Sequence, residues 1–100
     1  MPDICLTLLC APAAEEKLLD LLLMSPSATV FTSMATAIHG LDHKKLDPME
    51  KVLGRARATQ IQVIFAEADK AALLEEIHHQ MSGTGLRYWL TTVVEAGEVA

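Results

Sequence analysis

The chain has no excess of basic residues, no membrane-length apolar run and almost no cysteine, and each lack excludes a class of function. Eight Lys and Arg stand against thirteen Asp and Glu, a net charge of −5. Phosphate backbones are bound by clustered Lys and Arg that release counterions, so nucleic acid is excluded as a partner. The longest apolar stretch is broken by Glu15, Glu16, Lys17 and Asp20. It falls short of the roughly 20 residues a span requires, so no membrane insertion is expected. MPDICLTLLC lacks a basic residue ahead of its short apolar run, so no secretory signal is read there and a cytoplasmic location is expected. The two cysteines, Cys5 and Cys10, fall on opposite faces of one strand and cannot bridge each other; both are read as reduced.

Catalytic patterns are missing too. Ser25, Ser27, Ser33 and Ser82 lack a Gly-x-Ser-x-Gly elbow, and neither His-Glu-x-x-His nor Gly-x-x-x-x-Gly-Lys occurs. The chain is not expected to be an enzyme. Disorder is excluded as well, because 51% of the residues are hydrophobic and only 21% charged. One hundred residues make one domain, 1–100.

The hydrophobic spacing orders the elements. Residues 4–10 alternate Ile4, Leu6, Leu8, Cys10 against Cys5, Thr7, Leu9, a buried strand ending before Pro12. Pro12 suits a helix's first turn, and a leucine-rich helix runs from there to Ser25-Pro26. That helix is apolar on more than one side, which predicts cover on more than one side. An uncharged strand is read at 28–39 and a firmly alternating one at 55–66. Helical spacing follows over 68–82, with Leu73, Leu74, Ile77 and Met81 on one face, and a last strand at 86–94. The order β-α-β-β-α-β predicts an α+β, ferredoxin-like βαββαβ sandwich: a four-stranded antiparallel sheet with two helices on one face.

The other face then shows Cys5, Thr7, Leu9, Gln60, Gln62 and Ile64, with Trp89 and Val93 beside them, and hardly a charge. An uncharged sheet face of that size predicts an oligomer interface.

Residues 39–54, HGLDHKKLDPMEKVLG, form a loop far longer than a hairpin turn requires. Asp47-Pro48 reads as a helix start and Gly54 as a stop, so a short helix is expected within it. Between His39 and Arg57 five basic residues face three acidic ones, a local +2 that leaves −7 for the rest. Arg55 and Arg57, two apart at a strand start, form a candidate anion clamp. His39, Asp42 and His43 form a candidate, incomplete set of ligands for a divalent transition metal. The adjacent His78 and His79 diverge on their helix and make no joint site. Ser82-Gly83-Thr84-Gly85 reads as a helix-stopping turn.

Those residues carry a resemblance. LTLLCAP at 6–12, the HG…H…GRAR pattern at 39–57 followed by QIQVIF, and GLRYW at 85–89 resemble the PII superfamily of signalling proteins. More specifically they are similar to a small uncharacterised PII-like family often encoded beside heavy-metal efflux pumps. The resemblance implies a homotrimer whose long loop, the T-loop, reports a small ligand in the cleft between subunits to a partner, here a membrane transporter reached through 39–54. It implies Gly40, Arg55, Arg57, Gly83, Gly85 and Arg87 as cleft residues. The B-loop lysine, the terminal arginine pair and the uridylylated tyrosine of PII proteins have no counterparts, which counts against ATP and 2-oxoglutarate as ligands. A metal-tolerance role resembling the CutA proteins, with the loop histidines as ligands, is the alternative.

Overall fold

The computed structural model describes residues 3–28, 30–41 and 46–100. Four strands form one antiparallel sheet: β1 (Asp3–Cys10), β2 (Phe31–Ile38), β3 (Ala56–Ala66) and β4 (Arg87–Val93), in the spatial order β2-β3-β1-β4. Helices α1 (Pro12–Met24) and α3 (Lys70–Gln80) link β1 to β2 and β3 to β4, and a short α2 (Pro48–Leu53) lies in the loop between β2 and β3. This is the α+β, ferredoxin-like arrangement.

The strand alternation sorts the sheet into two faces. Leu6, Leu8, Cys10, Ile61, Val63 and Phe65 point to the helical layer and are buried there against Leu18, Leu21 and Leu22 of α1 and Leu73 and Ile77 of α3. The helical partners recur at i and i+4, the spacing that stacks side chains along one helix face. Each fully buried Leu or Ile contributes about 1.5–3 kcal/mol of transfer free energy.

Pro12 occupies the first turn of α1, where its missing N–H costs nothing, and the helix ends at an extended Ser25 just before Pro26. Its outer residues depart from expectation. Leu23 and Met24 are exposed, so among the described residues nothing covers the second apolar side of α1.

Some boundaries differ from those the spacing predicts. Strand β2 begins at Phe31 rather than residue 28, because pairing with β3 starts at Phe31↔Val63 and Ala28 is already buried among the core residues. A 3₁₀ turn (Glu67–Asp69) precedes α3 where helix was expected from 68. The sandwich also has a third helix, α2, fixed by its ends rather than by burial.

The uncovered face is laid out by register. Thr32, Gln62, Thr7 and Trp89 form one cross-strand row, and Met34, Gln60, Leu9 and Arg87 the next. Ile64, Cys5 and Thr91 form a third, with Val93 at the end of β4. The Gln62 amide donates to Thr7 Oγ1 at 3.3 Å, and Gln60 Nε2 to Met34 Sδ at 3.6 Å. Met34, Ile64 and Trp89 remain 58%, 42% and 46% exposed.

Candidate functional site

At one end of the sheet, several segments converge on a cleft of about 520 Å³. Strand β3 contributes Arg57 from its second position and β4 contributes Arg87 from its first. Between α3 and β4 the turn passes Gly83, Thr84 and Gly85 along the cleft wall. Both glycines have positive φ, +82° and +76°, a conformation that disfavours any side chain. Thr84 secures the turn: its hydroxyl donates to the Met81 carbonyl at 2.7 Å.

Asp47 and Glu50 close the cleft from the loop side. The Asp47 carboxylate accepts from the Glu50 amide at 2.8 Å, and Glu50 Oε1 accepts from the Asp47 amide at 3.1 Å, a reciprocal capping box. Glu50 Oε2 then accepts from the Arg57 amide at 2.8 Å. One side chain therefore caps α2 and also ties it to the start of β3, beside the guanidinium that lines the cleft. At the other end Gly54 takes φ +71° and donates to the Glu50 carbonyl at 2.7 Å. A six-residue helix has little stability from propensity, and these end contacts hold it.

The arrangement suits an anionic ligand. Two exposed arginines line it from the starts of β3 and β4, with β1 between those strands, and a glycine turn lets a ligand approach the backbone. Both oxygens of the Glu50 carboxylate are engaged by backbone amides.

The structure brings together four of the six expected cleft residues: Arg57, Gly83, Gly85 and Arg87. Arg55 lies just before β3, exposed, with its amide on the Glu50 carbonyl, and it does not line the cleft. Gly40 follows the end of β2 with φ +81° and is also outside the lining. Arg57 and Arg87 line the cleft from β3 and β4, with β1 between the two strands. His39 is exposed after β2, while Asp42 and His43 lie outside the described residues. Among the described residues no group of three His, Cys, Asp or Glu side chains could hold a metal ion. His78 meets Tyr88, Nε2 to hydroxyl 3.2 Å, rather than His79. Cys10 is buried in the core, and that burial, reinforced by the negative charge of Glu15 and opposed by a hydrogen bond from the Thr59 backbone, pushes its thiol pKa up from 9.0. The expected interface residues Cys5, Thr7, Leu9, Gln60, Gln62, Ile64, Trp89 and Val93 share the uncovered face. Glu50 is absent from the residues that the sequence singles out; its signal is the Asp-Pro-x-Glu spacing of a capping box.

Fold and cleft together define a small ferredoxin-like sandwich of the PII-like kind. The chain belongs to the DUF3240 family, described as a protein of unknown function, which it matches over residues 1–100. No curated protein matches the sequence. Among solved structures, a DUF3240 family protein from Shewanella baltica OS155 is similar at a TM-score of 0.82 and 15% identity, over 98% of this chain and 97% of that one. CPII from Thiomonas intermedia K12, a nitrogen regulatory PII-like protein bound to ADP, AMP and bicarbonate, is similar at 0.75 and 15%, over 99% and 98%. GlnK from B. subtilis, in its complex with ATP, is similar at 0.68 and 15%, over 92% and 82%. At these identities the likeness is one of fold.

Proposed function

We propose that this protein is a non-enzymatic, PII-like regulator that assembles as a homotrimer. A small anionic ligand binds at Arg57, Arg87 and the Gly83–Gly85 turn, and the 39–54 loop reports its presence to a partner protein. The observation that carries this reading is the Glu50 carboxylate, which joins helix α2 of the loop to the Arg57 amide at the cleft. A ligand that shifts Arg57 acts on the loop through that contact. The adenine nucleotides in CPII and GlnK make ADP, AMP and ATP the first ligands to try. The open face, with Met34, Ile64 and Trp89 exposed and few charges, is the surface that trimerisation covers. The resemblance supports a metal-efflux transporter as the partner.

Titration calorimetry with each nucleotide, on the wild type and on Arg57→Ala with Arg87→Ala, tests the ligand site. Heat lost in the double variant with the melting temperature unchanged is the expected result; equal heats from both proteins would contradict it. Titrating zinc, copper, nickel and cobalt alongside tests the metal reading of His39, Asp42 and His43. Capture of a transporter from detergent extracts by the wild type, and its loss on deleting 41–53, tests the loop.

A further inference from the structure

The turn between α3 and β4 is held lightly for a segment that walls a cleft. Gly83 and Gly85 both sit at positive φ, and a glycine gives up more conformational freedom on ordering than any other residue. A Cβ built on either would meet no atom within 4 Å, so among the described residues nothing packs against them. Both also border a second cavity, of about 250 Å³, together with His78, Ser82 and Tyr88. The turn thus borders two cavities and has room to move. Among the described residues its internal hydrogen bonds both end on the Met81 carbonyl, one from the Thr84 amide at 3.3 Å and one from the Thr84 hydroxyl at 2.7 Å.

One contact spans the turn from end to end. His78, in the last turn of α3, meets Tyr88, the second residue of β4, with Nε2 3.2 Å from the hydroxyl. The rings stand edge to face, 5.6 Å between centroids and 82° between planes. The bond forms with either histidine tautomer, because the hydroxyl donates to a bare Nε2 or accepts from a protonated one. Strand alternation then links this contact to the cleft. Tyr88 pairs with Leu8 on the helical side of the sheet, whereas its neighbour Arg87 pairs with Leu9 on the open side and lines the cleft. Fixing Tyr88 therefore fixes the backbone from which Arg87 reaches.

We infer that His78 and Tyr88 form a clasp that sets the Gly83–Gly85 turn, and with it Arg87, in the conformation that receives an anion. They are positioning residues, since neither lines the cleft. Clasp and bound anion favour the same turn, so each strengthens the other by an equal factor. The effect on affinity rests on the anionic-ligand reading, and the ordering of the turn does not.

Amide hydrogen exchange followed by NMR reads the turn at Thr84 without any ligand. Tyr88→Phe keeps the ring and loses the hydroxyl, His78→Ala loses both contacts, and His78→Gln keeps a hydrogen-bond partner for Tyr88. Both positions are exposed, so the variants fold. Thr84 is expected to exchange about two- to tenfold faster in Tyr88→Phe, the ratio that one hydrogen bond supports, and the amides of β1 and β3 to change less. His78→Ala is faster still, and His78→Gln restores most of the protection. ADP, AMP and ATP, titrated by calorimetry, lose affinity for Tyr88→Phe by the same factor and slow Thr84 exchange in the wild type. Unchanged Thr84 exchange in Tyr88→Phe and His78→Ala, or an acceleration no greater than that of the strands, would overturn the inference. Faster exchange with undiminished nucleotide affinity would overturn its link to the cleft. Faster exchange where even the wild type binds no nucleotide upholds the clasp and removes the ligand reading instead.

Discussion

The two faces of the sheet are built from the same strands, nearly equally uncharged, and differ in what covers them. Leu8 is fully buried under the helices while its neighbour Leu9 is only half-buried on the other side. Cys10 and Cys5 repeat the contrast. A solvated sheet face ordinarily alternates polar and charged side chains; this one offers Met34, Ile64 and Trp89 with glutamines and threonines between. The helical face has its hydrophobic demand met inside the chain. The open face has the same demand left over, and in the proposed trimer a second and third copy meet it.

Substitution at adjacent residues separates the two. Leu8→Ala opens a cavity in the core and is expected to cost about 2–5 kcal/mol in urea denaturation. Glu50→Ala removes half of the capping box and the tie to Arg57, a loss of about 1 kcal/mol that also weakens any effect of ligand on loop protection in hydrogen exchange. Leu9→Ala costs the separated subunit less than about 1 kcal/mol, since little is buried there, yet it loosens the assembly. A destabilisation by Leu9→Ala equal to that of Leu8→Ala in the monomer would erase the distinction between the faces.

The cysteines give the finest version of the comparison. Thiol reagents are expected to modify Cys5 in the separated subunit and to be slowed by assembly, while Cys10 reacts only on unfolding. The raised thiol pKa of Cys10 also carries a pH dependence. Folding holds the neutral thiol, so its contribution is intact below the ordinary value of 9.0 and is lost as pH rises above it through the folded value. Cys10→Ala should flatten that alkaline decline in melting temperature; an unchanged slope would place its origin elsewhere.

Both faces of the sheet are legible in the amino-acid order alone. The alternation over β3 is long enough to assign them, and every residue assigned to the open face lies on it. Asp47-Pro48 and Gly54 mark the ends of α2 because caps are local chemistry. The cleft is harder to read. Arg55 and Arg57 are close in sequence, but the strand begins between them, and Arg87 comes to the same end of the sheet only through the strand order, across β1. The Glu50 contact to the Arg57 amide spans seven residues and follows no periodicity. Leucine spacing likewise does not reveal that the outer side of α1 ends up uncovered, because that depends on what packs there.

The central claim is that the open face is covered by other copies of this chain, and native mass spectrometry of the wild type beside Ile64→Asp with Trp89→Asp tests it most directly. A trimer is expected for the wild type at micromolar concentration and a folded monomer for the double variant, with unchanged circular dichroism. A monomeric wild type, or a double variant that keeps the trimer's mass, would contradict it.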